Sequence, residues 1–298
     1  MPDFDLLLRH ASPHAAIGIA DGKIAALTEG TAREVIDATG LLVAVHAEID
    51  HPELRHGTTI RDYLASRPIA IELEAIGLAI DLAGETGCAL HIVHVSCATG
   101  VRLVSEARDA GVDVSCETCP HYLLLNEEDV ERIGALAKCA PPIRDEFERE
   151  QLVCEVEAGN ILTIGSDHSP APMSMKTDPD FFKVWGGISG CQHLLGLLVH
   201  LELSWERIQW STSENVADRF GLAERKGRIA PGLDADLVLL DPLGVTEISA
   251  DSLHYRHRHT PYLGRNLRGS VVRTILRGAT VALDGGIAGA PRGRFIKP

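Results

Sequence analysis

Four histidines and three carboxylates recur at equivalent places along the middle of the chain. His46 and Glu48 close the run "LLVAVHAE", His94 follows "ALHIV", Glu117 and His121 follow "VDVSC", and Asp167 and His168 follow "ILTIGS". Each apolar run delivers ionisable side chains at the same end. Burying such groups singly costs several kcal/mol apiece, whereas a metal ion or a polar substrate satisfies them together. Two imidazoles and a carboxylate, His46, His94 and Asp167, form a set suited to Zn²⁺ or another divalent ion, with coordination positions left for water. His121 and His168 read either as groups that orient Asp167 or the substrate or as packing residues. His91 alternates to the strand face opposite His94 and reads as structural.

The elements that must position these residues follow from periodicity. Strands are expected at 41–45, 89–95, 112–117 and 161–165, and helices at about 69–84, 98–110, 126–137, 145–158 and 189–203. Alternating strands and helices build a parallel sheet covered by helices, and ligands then gather at the C-terminal ends of the strands, where the ionisable residues lie. Residues 1–40 and 226–298 are instead rich in short strands and turn signals, among them Asp21-Gly22 between two β patterns. The organisation expected is a β-rich domain formed by 1–40 with 226–298, and a βα domain at 41–225.

Composition narrows the function. The chain has 298 residues, 45% hydrophobic and 23% charged, which suits a folded globular protein, and no apolar run is long enough to span a bilayer. A net charge of −14 with six scattered lysines argues against a nucleic-acid or anionic-membrane surface and favours a small-molecule substrate. The N-terminus carries no basic segment followed by an apolar one, so a cytoplasmic location is expected. Seven cysteines, an odd number, read as reduced thiols. "CETC" (116–119) has metal-knuckle spacing, but no second such pair follows, and "HYRHRH" (254–259) reads as surface or sandwich structure.

The motifs "VHAE", "YLASRP", "LHIVHVSCATGV", "GVDVSCETCPHYLLL", "AKCAPPIRD", "SDHSPAP", "KVWGGISGCQ", "NVADRFGL", "KGRIAPGLDADLVLLD", "YRHRHTPYLGR" and "TILRG" occur in this order over residues 41–298. The chain thereby resembles the allantoinases, which belong to the cyclic amidohydrolases with dihydroorotase and hydantoinase. The segment ending in "VIDATG" resembles that family's N-terminal β segment. The resemblance implies that the β-rich domain is a β-sandwich and that 41–225 is a metal-dependent hydrolase domain, with a (β/α)₈ barrel and hydrolysis of allantoin, a cyclic ureide, to allantoate by a metal-activated water. It also implies that Asp167 serves both as metal ligand and as catalytic base, and that main-chain groups at Ala140, Gly187 and Ile188 contact the ring amides.

One departure is large. In the family, "VIDATGLLV" leads into a first barrel strand ending in a His-x-His pair, and a lysine carbamate later bridges two metals. Here "DATGLLV" runs directly into "AVHAE". The first four βα units, on the order of a hundred residues or more, are therefore expected to be missing, leaving a partial TIM barrel of about four units. No His-x-His stands in the first forty-five residues, and none of Lys23, Lys138, Lys176, Lys183, Lys226 and Lys297 closes a strand between 41 and 88. A half barrel exposes strand edges and an apolar interior, so self-association as a homo-oligomer is expected. The alternative is a catalytically inactive amidohydrolase remnant that acts as a binding or assembly partner.

Overall fold

The computed structural model describes residues 4–9, 16–20, 23–26, 32–37 and 42–296. In chain order the elements are β1 (Phe4–Arg9), β2 (Ala16–Ala20), β3 (Lys23–Ala26), β4 (Ala32–Asp37), β5 (Leu42–Val45), α1 (Ile60–Ala65), α2 (Ile69–Thr86), β6 (Ala89–Ile92), α3 (Ala98–Asp109), β7 (Val114–Thr118), α4 (Pro120–Leu124), α5 (Glu127–Ile133), α6 (Glu146–Ala158), β8 (Thr163–Ile164), α7 (Leu194–His200), α8 (Trp205–Gln209), α9 (Asn215–Arg219), β9 (Leu237–Glu247), β10 (Asn266–Leu276), β11 (Ala279–Leu283) and β12 (Gly286–Ile287). The chain forms two bodies. The first comprises Met1–Asp50, Ile69–Val95 and Thr99–Cys116, and the second His51–Pro68, Ser96–Ala98 and Glu117–Pro298.

In the first body, β1 pairs antiparallel with β2 and parallel with β4, and β2 pairs antiparallel with β3. The Asp21-Gly22 turn expected between β2 and β3 lies outside the described residues, as do His10 and His14. β5, β6 and the first part of β7 form a parallel ladder, Val45 opposite Ile92 and Ile92 opposite Cys116. α2 buries Ile71, Ala75, Ile76 and Ala83, and Leu90 and Ile92 of β6 are buried with Val101 and Val104 of α3. These runs are strands because both faces must be apolar in a parallel sheet that helices cover.

The second body has a parallel pairing of its own. Glu117 and Thr118, the last residues of β7, stand opposite Thr163 and Ile164 of β8. Its helices carry their own start and stop signals. Asp145 accepts the Glu148 amide at 2.9 Å to begin α6, and Gly159 ends it at φ 84°, a conformation that costs glycine little. Leu123, Leu125, Ile143, Leu152, Ile161, Leu197, Leu198 and Tyr262 form the buried interior. An antiparallel sheet of order β12-β11-β10-β9 completes this body.

The architecture is α/β, with parallel and antiparallel sheets, as the periodicity predicts. Boundaries differ where local chemistry intervenes. The helix expected at 126–137 stops at Ile133, because Gly134 turns out of it at φ 75° into a 3₁₀ turn. The helix expected at 189–203 begins only at Leu194, since 188–190 is committed to hydrogen bonds with 168 and 169. α4 was not expected; Pro120 at its first position starts it. Among the described residues, no helix is long and apolar enough to cross a membrane.

Candidate functional site

In the first body the main-chain ladder runs one residue past β6, with the Val93 amide donating to Val45 O at 3.1 Å. The backbone then turns sharply at His94, which adopts φ 43°. The left-handed region is costly for a residue with a Cβ, and such strain persists where surrounding structure enforces it, often at functional sites. The turn aims His94 at the end of the neighbouring strand. His94 Nε2 lies 2.9 Å from His46 Nδ1, and the rings meet edge-on with centroids 4.7 Å apart. On the far side of the His46 ring, Nε2 is 3.5 Å from Glu48 Oε2, whose side chain is almost fully buried. A carboxylate behind a histidine fixes ring orientation and directs the other nitrogen forward. His91 faces the opposite way, buried, with Nδ1 2.8 Å from Ser115 Oγ.

The opposed nitrogens provide a test of metal fit. Two ligand atoms on one Zn²⁺-sized ion, each about 2.0–2.1 Å from it, stand about 2.9–3.4 Å apart in cis or tetrahedral arrangements. The His46–His94 separation falls in that range, and imidazole suits such an ion, so the pair fits as part of a site. It does not make a whole one: among the described residues, no group of three or more His, Cys, Asp and Glu side chains is gathered closely enough to hold an ion.

The other predicted residues lie in the second body. Asp167 follows β8 and, like His94, stands in the left-handed region, at φ 41°. Beside it, His168 forms an isolated parallel bridge with Ile188, and the Ser169 amide donates to Ile188 O at 2.9 Å. His168 Nδ1 accepts the Gly190 amide at 3.2 Å, and burial lowers the basicity of the imidazole. Gly187 permits this approach, since a Cβ there would lie 2.6 Å from Ser169 O. The Gly187 amide in turn donates to Lys138 O, two residues before Ala140. Asp167, His168, Gly187 and Ile188 therefore come from two loops that are hydrogen-bonded to each other, with the Lys138–Ala140 segment tied to Gly187.

His121 is fully buried on α4, its ring 4.2 Å from that of Tyr122, whose hydroxyl donates to Pro141 O at 2.7 Å. Cys119 and Cys139 are buried beneath the same loops. Burial pushes the Cys119 thiol well above its usual range, helped by the Glu117 and Asp167 carboxylates, and pushes Cys139 up to about 12. None of the seven cysteines forms a disulfide.

The tract "HYRHRH" lies largely at the surface, as its sequence reading expects, and is tied down at its last residue. The Tyr255 ring lies against that of His168, tilted by 41° with centroids 4.8 Å apart, His259 is buried with Nε2 2.7 Å from Ala171 O, and the adjoining Thr260 donates to Ser189 O at 2.6 Å. Its last residue, His259, is buried, Tyr255 and His257 are half-buried, and His254, Arg256 and Arg258 are exposed.

The amidohydrolase family model matches residues 5–281. The chain belongs to the amidohydrolase family. Among curated relatives of this family, the chain is similar to the allantoinase of Rubrobacter xylanophilus, 55% identical with 87% of this chain and 60% of that one covered. It is also similar to the allantoinase of Deinococcus radiodurans, 47% identical over the same shares. Among solved amidohydrolase structures it resembles the L-hydantoinase (dihydropyrimidinase) of Arthrobacter aurescens, with a TM-score of 0.82 and 35% identity over 85% of this chain and 59% of that one. The chain thus spans about 60% of the length of the curated relatives it matches.

Proposed function

We propose that the chain recognises and hydrolyses a ring amide of a cyclic ureide, allantoin to allantoate, acting in the cytoplasm. The observation that carries this reading is the 2.9 Å approach of His46 Nδ1 to His94 Nε2 at the ends of adjacent parallel strands. Likeness to curated allantoinases at 41–55% identity supports the choice of substrate. His46, His94 and Asp167 would hold Zn²⁺ or another divalent ion, which when bound would lower the pKa of water and polarise the carbonyl. Asp167 accepts a proton from water as oxygen attacks the ring carbonyl carbon, and returns it to the ring nitrogen as the C–N bond breaks. Main-chain groups at Ala140, Gly187 and Ile188 bind the amide edges, and His121 and His168 support them.

The family's barrel would be present as β5–β8, and the terminal sheets would form its β-sandwich. Exposed Val238, Leu239, Leu243, Val245 and Ile287 on β9–β12 support a covering layer. β5 pairs with β6 and ends its sheet, with Val43 and Ala44 exposed, which supports self-association through that edge.

The absence of a His-x-His pair from the first forty-five residues and of a lysine closing a strand between 41 and 88, and the lack of a three-donor cage among the described residues, favour a second reading: a non-catalytic member that acts as a binding or assembly partner. Metal analysis combined with allantoin hydrolysis by the native chain, His94→Ala and Asp167→Asn decides between them. Metal retention and turnover abolished by both substitutions support the enzyme. Turnover absent or indifferent to both substitutions overturns it.

A further inference from the structure

Two lysines that this chemistry does not use are buried. Lys138 is 5% exposed and Lys176 4%. An ammonium has three N–H donors and no acceptor, so a buried one must find three acceptors or leave a donor unmet. Lys138 Nζ donates to the carbonyls of Phe181 at 2.6 Å, Phe182 at 3.1 Å and Val184 at 2.6 Å. Lys176 Nζ donates to Ala135 O at 3.0 Å, Trp185 O at 2.9 Å and Gly187 O at 2.8 Å. Each cation is fully satisfied by main-chain oxygens. The Lys138 ammonium also lies 4.6 Å from the Tyr63 ring centroid and 5.3 Å from that of Phe181, within cation–π range.

The acceptors fall on two segments, residue 135 and residues 181–187, and the main chain closes the same circuit. The Gly187 amide donates to Lys138 O at 2.9 Å, and the Trp185 amide to Met175 O at 2.9 Å. Both polar groups of the Gly187 peptide unit are therefore tied by lysine residues, its N–H by the Lys138 carbonyl and its C=O by the Lys176 ammonium. Ile188 then bridges to His168 and Ser169. Burial lowers both lysines to about 8, while three carbonyls around each favour the charged form. An apolar side chain at either site would take this donor from all three carbonyls, and a neutral amide would keep only two N–H groups for them. Arginine, a planar fork in place of a compact point charge, does not reproduce the arrangement.

We propose that Lys138 and Lys176 are positioning residues, two buried cations that lock the 135–140 and 181–188 segments into a fixed wall carrying the ring-amide contacts of Ala140, Gly187 and Ile188. The proposal rests on the functional reading above for the identity of the ligand, and on the hydrogen-bond geometry for the wall itself.

Hydrogen exchange followed by mass spectrometry tests the wall without reference to activity. In Lys176→Met, amides of 181–189 are expected to exchange about tenfold faster or more, as local opening becomes easier, while those of α3 are unchanged. Lys183→Met, an exposed change in the same segment, leaves the rates as they were. Should Lys176→Met fail to fold, Lys176→Gln, which keeps two of the three donors, carries the test and shows a smaller acceleration in the same segment. Allantoin kinetics give the second readout: KM rises about tenfold in the lysine variants with kcat within about threefold, because binding geometry and not the proton carrier is disturbed. Unchanged exchange at 181–189 in both Lys176 variants overturns the proposal. So does faster exchange with an unchanged KM in a chain that turns over allantoin. If the native chain neither binds nor hydrolyses allantoin, the functional reading fails, and the wall is judged on exchange alone.

Discussion

Adding one methyl group at Gly187 tests whether the loops that carry the proposed ring-amide contacts are as tightly joined as the geometry states. An alanine Cβ there would stand 2.6 Å from Ser169 O, 2.7 Å from Ser169 Oγ and 2.8 Å from Ser169 Cβ, all well inside van der Waals contact. The hydroxyl can rotate away. The carbonyl cannot, since Ser169 is held by its amide to Ile188 O at 2.9 Å and His168 is bridged to Ile188 alongside. Forcing an extra methyl into such a contact costs about 1–3 kcal/mol, and the smaller unfolded-state entropy of alanine returns about 0.4–1 kcal/mol, leaving a net loss of up to about 2.6 kcal/mol. Gly186 supplies the control: its added Cβ would meet only Lys138 Cε, at 4.0 Å, so Gly186→Ala is expected to be neutral within about 0.5 kcal/mol. Urea unfolding of the two variants with titration calorimetry against allantoin measures both consequences. The 187 variant loses stability and binds more weakly, and the 186 variant does neither. Equal stabilities, or a 187 variant that binds as well as the native chain, refute the close approach of the two loops.

Three further outcomes follow from the same geometry. Asp167→Gly removes a left-handed non-glycine residue at φ 41° and is expected to keep or raise stability, by up to about 1 kcal/mol in thermal unfolding, while abolishing turnover. His94→Ala is expected to reduce bound divalent metal to below about a tenth of the native content by elemental analysis, because His46 and Asp167 would be left as only two of the three proposed ligands. His193 is buried, its Nε2 has no hydrogen-bond partner, and burial followed by repulsion from His254 lowers it to about 4. The unfolded chain therefore binds a proton between pH 6.5 and 4 that the folded chain does not. Stability is complete above about pH 6.5 and falls toward pH 4, by as much as about 3 kcal/mol, and His193→Leu flattens that slope in pH-dependent urea unfolding.

The strands, the helices and the ends at which His46, His94 and Asp167 sit were legible because apolar alternation and its interruption are local properties of sequence. The left-handed turns at His94 and Asp167 were not, since both residue types usually occupy ordinary backbone regions and only the completed sheet end imposes the turn. Lys138 and Lys176 were read only as lysines in the wrong place for a metal bridge. Their role depends on carbonyls some forty residues away for Lys138 at 181–184 and on both sides of Lys176 at 135 and 187, which no periodicity reports. The ties of His259 and the neighbouring Thr260 to the carbonyls of Ala171 and Ser189 were illegible for the same reason.

The two halves of the proposed chemistry differ in how far each is complete among its own residues. The wall closes on itself: Lys138, Lys176, Gly187, Ile188, Ser169 and Thr260 satisfy one another entirely within the second body. The imidazole pair in the first body offers two ligand atoms and requires others to complete a coordination shell. Recognition of a ring amide should therefore outlast catalysis when the metal ligands are disturbed. His94→Ala is expected to bind allantoin in calorimetry within about threefold of the native affinity while turnover is lost. A variant that loses binding along with turnover would show that the imidazoles themselves hold the substrate, and that the wall does not bind it independently.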